Sequence, residues 1–177
     1  MKYVESKIIA DIFRINGLGD EMATLVNNEN NVKVILNLLA NSFLDLENNR
    51  EGSESWIPFE LSLFVEQERY EYLEENGATL TLYKIKNLIC SFDKIVNEKY
   101  NDLNIEKYEF NSSEGFFELI VDETYEEDHV YVEMWLNMGT YSNGMSFGYD
   151  KGFRFVVSVD ELGNFNSGLK AQLNSIV

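Results

Sequence analysis

The stretch DETYEEDHVYVEMWLNM, residues 122 to 138, gathers residue types that often carry acid–base or metal chemistry. It holds the only histidine of the chain, His129, together with six carboxylates. Imidazole and carboxylate groups bind zinc and exchange protons near neutral pH, so a metal centre or a hydrolase is one interpretation. The other interpretation is an acidic surface that holds a basic partner.

The spacing within this stretch argues against a metal site. If residues 129 to 138 form a strand, His129 and Glu133 share a face but lie about 13 Å apart along it, too far to bind one zinc ion. The carboxylates before His129 fall in a predicted turn that lacks the glycine and the ligand spacing of an EF-hand. We therefore expect neither a metal ion nor another cofactor.

Two further patterns do not form reaction motifs in their predicted context. The glycine turns at 17 to 22 and 139 to 144 lack the lysine and spacing of a phosphate loop. The stretch GMSFG, residues 144 to 148, has the spacing G-x-S-x-G, but it lies in a glycine-rich connection between two predicted strands and not at the strand-to-helix turn of a nucleophile elbow. Cys90 falls in an apolar helical pattern, which favours packing in the core over nucleophilic reactivity. We expect no catalytic residues, and a hydrolase that uses His129 with nearby carboxylates remains an alternative.

A protein-binding surface fits these residues better. Tyr131 and Trp135 would share the face of Glu133, and exposed aromatic side chains are frequent interface anchors. A second acidic run, residues 66 to 76, alternates tyrosines with glutamates. The predicted partner-binding residues are Glu68, Tyr70, Glu71, Tyr72, Glu126, Glu127, Asp128, Tyr131, Glu133 and Trp135. Alternatively, both runs are solvated turns and edges, with Trp135 beneath a helix.

The charge of the chain narrows the class of partner. Lys and Arg number 14 against 31 Asp and Glu, which gives a net charge of −17 and a pI near 4.3. Such a surface repels nucleic acid and anionic lipid and attracts basic proteins. We expect no direct binding to nucleic acid or membrane. A lone cysteine and an N-terminus unlike a signal peptide predict a cytoplasmic location.

The period of the apolar residues predicts the elements that position these side chains. Helical spacing indicates an amphipathic helix over about residues 81–100, which Thr81 could cap, and a C-terminal helix over about 160–175 that Gly163 and Gly168 weaken. Alternation predicts strands at 6–15, 32–40, 56–67, 107–113, 115–123, 129–138 and 152–160. The sequence thus predicts a single α+β domain over residues 1–177 with a largely antiparallel β-sheet.

Several of these elements resemble a known family. They are the strand FELSLFVEQ, the helix LYKIKNLICSFDKIV, the strands GFFELIVDE and VYVEMWLNM, and the closing GFRFVVSVDELGNFNSGLKAQLNSI. Over about residues 56–177 their order resembles the WapI-type immunity proteins of bacterial polymorphic toxin systems. The resemblance implies a cytoplasmic protein, not an enzyme, that binds and neutralises a toxin domain.

The resemblance and the charge together favour a basic toxin domain, such as a nuclease, as the partner. The charge also allows an alternative, a nucleic-acid mimic or phage-type inhibitor that occupies the groove of a nucleic-acid-binding protein. The sequence does not predict the oligomeric state.

Overall fold

We describe the fold from a computed structural model, which places residues 22–41, 55–141 and 149–176. The strands in these ranges are β1 (Ala23–Val26), β2 (Val32–Leu38), β3 (Trp56–Val65), β4 (Glu68–Tyr72), β5 (Thr79–Thr81), β6 (Tyr108–Asn111), β7 (Phe117–Glu123), β8 (His129–Asn137) and β9 (Asp150–Ser158). The helices are α1 (Leu82–Tyr100), the single turn α2 (Met138–Tyr141) and α3 (Val159–Ile176). The strand predicted at 6–15 lies outside the described residues.

The first sheet is antiparallel and has the order β1-β2-β3-β4, with β5 also paired to β3. The long β3 pairs with β5 over its first residues and with β4 over its second half. Ile57, Phe59, Leu61 and Leu63 are buried, while the residues between them are partly exposed. This alternation confirms the strand predicted for this segment and directs one face of the sheet into the core.

The second sheet is an antiparallel meander of β6, β7, β8 and β9. Its strand β8 pairs with β7 on one side and with β9 on the other. Val130, Val132, Met134 and Leu136 are buried in the core. The opposite side, which we call the outer face of β8, carries His129, Tyr131, Glu133, Trp135 and Asn137, as the sequence predicted.

Helix α1 follows its apolar stripe closely. Thr81 caps it, since the Thr81 Oγ1 accepts a hydrogen bond from the Lys84 amide at 3.2 Å. Phe92, at the centre of the stripe, contacts the rings of Tyr108 in β6 and Phe165 in α3. Cys90 is exposed, so the expectation that it packs in the core is wrong. It follows Ile89 by one residue, a rotation of about 100° that turns it away from the stripe.

Helix α3 lies directly against β1 because Gly168 has no side chain. A Cβ at Gly168 would lie 2.8 Å from the Cα of Ala23. One turn further, the buried side chain of Gln172 reaches β2 next to the point where β1 begins. Its Oε1 accepts a hydrogen bond from the Leu38 amide at 2.7 Å, and its Nε2 donates to the Leu36 carbonyl at 3.3 Å. A side-chain amide thus satisfies two backbone groups at this edge of β2.

Buried residues of both sheets and both long helices form one hydrophobic cluster. Between the sheets, the ring of Phe59 in β3 contacts Phe116 and Phe117 at the start of β7, with centroids 6.0 and 5.6 Å apart. Two antiparallel sheets with two long helices confirm the predicted α+β class. The shared core is what a single domain requires, and the one-domain organisation stays a prediction.

Candidate functional site

The structure distributes the predicted binding residues over three places. Glu126, Glu127 and Asp128 lie in the turn between β7 and β8, which we call the β7–β8 turn (residues 124–128). Tyr131, Glu133 and Trp135 follow on the outer face of β8, so these two groups are continuous. The remaining four residues belong to β4, in the other sheet.

Trp135 lies against the second sheet. It faces Gly152 of β9, and a Cβ at that glycine would come within 2.4 Å of the indole ring. Its Nε1 donates a hydrogen bond to the Glu133 Oε2 at 3.0 Å. The side chain remains 37% exposed, which leaves one face of the indole available for a partner.

Glu133 orients Trp135 more than it adds free negative charge to the surface. Its Oε1 forms an ion pair with Arg154, the residue opposite it in β9. Burial raises the pKa of Glu133, but the hydrogen bonds from Arg154 and Trp135 lower the pKa by more, so it lies below its ordinary value. The carboxylate therefore stays ionised, and the guanidinium offsets its charge.

His129 begins β8 and points toward the acidic turn before it. Its Nδ1 lies 2.7 Å from the Asp128 Oδ1 and 3.0 Å from the Glu126 Oε2. Within the described ranges, these three side chains are the one group whose metal-ligating atoms all lie within 4.8 Å of one another. In the tautomer with its proton on Nδ1, the ring donates to these carboxylates, an arrangement that needs no metal ion. The absence of a metal stays a prediction.

A buried lysine that the site prediction missed holds this turn in place. The side chain of Lys99, near the end of α1, is only 5% exposed, and its Nζ donates to the Glu123 Oε1 at 2.5 Å and to the Glu126 carbonyl at 3.3 Å. The other oxygen of Glu123 accepts a hydrogen bond from the Ile105 amide at 2.8 Å. Glu123 and Lys99 therefore fix the turn relative to the end of α1.

The pKa of Glu123 reflects this arrangement. Burial raises the pKa, but the hydrogen bonds from Lys99 and the Ile105 amide lower the pKa by more, so it lies below its ordinary value.

Lys99 also has a signal in the sequence, because it continues the apolar stripe of Ile85, Phe92 and Ile95 at helical spacing. A lysine at such a position predicts a buried charge with a carboxylate partner.

Among the β4 residues, Tyr72 is part of the core. It is 1% exposed, and its hydroxyl lies 3.0 Å from the carbonyl oxygens of both Phe116 and Asn137. It joins the two sheets and is not accessible to a partner. Tyr72 was predicted from its place in an acidic run, but the alternation of β4 directs it inward.

The other three β4 residues lie on two different faces. Glu68 and Tyr70 contact Lys151 of β9: the Glu68 Oε2 is 2.8 Å from the ammonium, which lies 4.7 Å from the centroid of the Tyr70 ring. The hydrogen bond from Lys151 lowers the pKa of Glu68 below its ordinary value. Glu71 instead accepts a hydrogen bond from the Ser62 hydroxyl at 3.0 Å, on the outer face of the first sheet.

The comparison with protein families accounts for this arrangement of elements. The model of the immunity protein WapI-like family matches residues 24–176. The chain belongs to this family. The match begins within β1 and ends at the last residue of α3, so it confirms the resemblance seen after Trp56 and extends it through β2. All three groups of predicted binding residues lie within the WapI-like region.

Two further comparisons add little about function. Among curated proteins there is no match. A solved structure described as that of the plant transcriptional regulator PBF-2 is similar, with a TM-score of 0.46 and 11% identity, covering 84% of this chain and 78% of that chain. So distant a likeness carries no argument about what this chain binds. Within the described ranges, the helices are too short or too polar to span a membrane.

Proposed function

We propose that this WapI-like chain is an immunity protein that binds a cognate toxin domain and blocks its activity by direct contact. The observation that carries the proposal is the family match over residues 24–176. An inhibitor of this kind needs no reaction chemistry, only complementary charge and a few desolvated anchors. The proposal therefore assigns no catalytic role to His129.

The toxin is proposed to be a basic domain, such as a nuclease, that the immunity protein meets in the cytoplasm. The net charge of −17 supports this, because opposite charge speeds encounter with a basic partner. A nuclease presents a cationic surface to the phosphates of its substrate. An acidic inhibitor that covers that surface would exclude the substrate without contacting the reacting atoms.

The proposed binding surface runs from the β7–β8 turn along the outer face of β8. It contains the three carboxylates of the turn and, further along the strand, Tyr131, Glu133 and Trp135. From His129 to Trp135 the strand spans about 20 Å, a length suited to a standard protein interface. Glu68 and Tyr70 adjoin its far end through Lys151, which precedes the glycine beneath Trp135.

A binding experiment with neighbouring gene products tests this function. Toxin-like domains encoded beside the gene are purified in inactive form and mixed with the chain, and domains of unrelated toxins serve as controls. We expect a stable complex with one neighbouring domain and loss of that toxin's activity when the active form is used. Failure of every neighbouring domain to bind, together with no basic protein in a pull-down from the producing cells, would reject the proposal.

The same mixture separates an immunity protein from a nucleic-acid mimic. A mimic displaces DNA from several unrelated basic proteins, because it imitates a shared ligand. An immunity protein acts on its cognate toxin alone. Displacement of DNA from unrelated proteins at similar concentrations would therefore favour the mimic.

A further inference from the structure

Two adjoining clefts open where α1 ends against the β7–β8 turn. One has a volume of about 320 Å³ and is lined by carboxylates of Asp102, Glu127, Asp128 and Asp160. The other has a volume of about 190 Å³, and Leu103 and Tyr125 are among its lining residues. Lys99, Asp102 and Glu127 line both clefts, so the two form one continuous depression.

Large apolar side chains at the edge of this depression are left in solvent. Tyr100 is 62% exposed, Leu103 is 56% exposed, and Tyr125 is fully exposed. Three such side chains around one depression form an apolar patch with a polar rim, which is typical of a protein-binding site. No sequence pattern singles them out, because Tyr100 and Leu103 come together with Tyr125 only in the fold.

The electrostatics of the depression favour a cation. Among the described residues that line it, Lys99 is the one cationic side chain, and Glu123 neutralises it. Helix α1 also ends at this depression. The Glu98 carbonyl accepts a hydrogen bond from the Leu103 amide at 2.9 Å, and the Lys99 carbonyl accepts one from the Asp102 amide at 3.1 Å. The negative end of the helix dipole therefore adds to the charge of the carboxylates.

We propose that this acidic end, defined as Tyr100, Asp102, Leu103, Tyr125, Glu127 and Asp160, binds an arginine- or lysine-bearing segment of a protein partner. The proposed function makes that partner the toxin, and the inference rests on it for this identity. A cationic side chain enters the depression between the carboxylates. The aliphatic part of that side chain and its neighbours contact Leu103 and the two tyrosines, whose rings also attract cations.

Asp102 offers a variant that separates binding from folding. Its φ of 54° lies in the left-handed region, at the position after the helix cap where glycine or asparagine is usual. Asp102→Asn keeps the shape, suits that conformation and removes the charge. Glu75→Gln, in the exposed turn after β4, removes one charge elsewhere and is the matched control.

The first test uses a hexa-arginine peptide titrated into the isotope-labelled full chain and followed by amide NMR shifts. We expect the shifts to concentrate at the acidic end, and Asp102→Asn and Glu127→Gln each to weaken peptide binding at least about threefold while Glu75→Gln does not. The melting temperature of Asp102→Asn should stay equal to the wild type or rise. Shifts scattered over the whole surface, or equal weakening by Glu75→Gln, would overturn the inference.

The second test uses the cognate toxin domain and keeps the two proposals apart. Tyr125→Ala and Asp102→Asn should each weaken the complex at least about tenfold. If the toxin binds and these variants bind equally well, the inference fails and the proposed function stands. If the peptide binds the acidic end but no neighbouring toxin binds, the proposed function fails and the basic-segment site stands.

Discussion

Removing the side chain of Trp135 should affect stability and binding differently. Because the indole is partly exposed and lies on the sheet surface, Trp135→Ala should lower the melting temperature only slightly. If it anchors the toxin, the same change should speed dissociation and cost about 2 kcal/mol or more of binding free energy, as should Tyr131→Ala. Dissociation kinetics and a thermal melt on the same proteins measure both quantities.

Gly152→Ala is the companion variant, because it moves the indole without deleting it. The new methyl group would lie 2.4 Å from the ring, so the indole has to shift. Dissociation should again become faster. A large loss of melting temperature in Trp135→Ala with unchanged dissociation would remove Trp135 from the binding surface.

Glu123 gives a prediction for the effect of pH on stability. In the folded chain its pKa lies below the ordinary value of 4.5. The ionised carboxylate therefore adds its full contribution to the free energy of unfolding above pH 4.5, and this contribution is lost as the pH falls through the lower folded pKa. Glu123→Gln leaves the Lys99 ammonium buried without its partner and should cost about 2 kcal/mol at neutral pH. The difference from the wild type should shrink as the pH falls below 4.5 and through the lower folded pKa.

Denaturant unfolding at several pH values measures this difference. Glu118→Gln, an exposed change in the same strand, is the control and should alter the free energy of unfolding by less than about 0.5 kcal/mol. A Glu123→Gln difference that stayed constant down to acid pH would show that the ionised carboxylate is not what stabilises the turn.

At the scale of elements, the two glycines of α3 should respond in opposite ways to alanine. Gly163 has only the Val96 methyl groups nearby, at 3.9 and 4.0 Å, so Gly163→Ala should stabilise the helix by up to about 1 kcal/mol. Gly168→Ala would push the helix away from the backbone of β1 and should destabilise by about 1–3 kcal/mol.

Thermal and denaturant melts of the two alanine variants decide this point. Both changes have the same intrinsic effect on helix formation, so any difference between them measures the contact with β1. Equal stabilisation by both would mean that α3 does not approach β1 as closely as the structure shows.

The long elements were predictable because each buries one face over many residues. The stripe of α1 and the alternation of β3 and β8 repeat often enough to fix both type and approximate bounds. β1, β4 and β5 were not predicted. β1 and β5 are only four and three residues long, and the sequence of β4, ERYEY, is mostly charged. Their pairing with β2 and β3 stabilises these strands, and this context is not visible in a short stretch of sequence.

The candidate site was predictable only in part, for a similar reason. The outer face of β8 follows from alternation along one strand, and its acidic turn follows from composition. The contacts of these side chains cannot be predicted in this way, because Lys99, Arg154 and Gly152 belong to other elements than the residues they contact. The burial of Tyr72 also depends on contacts with the other sheet, and for this reason Tyr72 was predicted as a binding residue although it is buried.

At the scale of the whole molecule, the net charge should act on the rate of association with the toxin. Glu127→Lys or Asp128→Lys should slow association about tenfold at low salt, since surface charges act through steering. The effect should fade near about 1 M salt, where the Debye length is about 3 Å. Stopped-flow association rates over a salt series measure this.

Glu71→Lys is the control for position, because it changes the net charge equally from the outer face of the first sheet. It should slow association less than the two reversals in the turn. Equal slowing by all three would show that the total charge matters and that the β7–β8 turn has no special place in the encounter.

Gln172 has a consequence for how the protein is made. Its hydrogen bond to the Leu36 carbonyl joins residues 136 positions apart. A ribosome that adds about 5–20 residues per second needs roughly 7–27 s to cover that distance. During that interval Gln172 cannot bond the end of β2, and the apolar residues of β1 lack the helix that covers them. A nascent chain is therefore open to misfolding and proteolysis at its first sheet until α3 emerges, and truncation before α3 leaves that sheet permanently open.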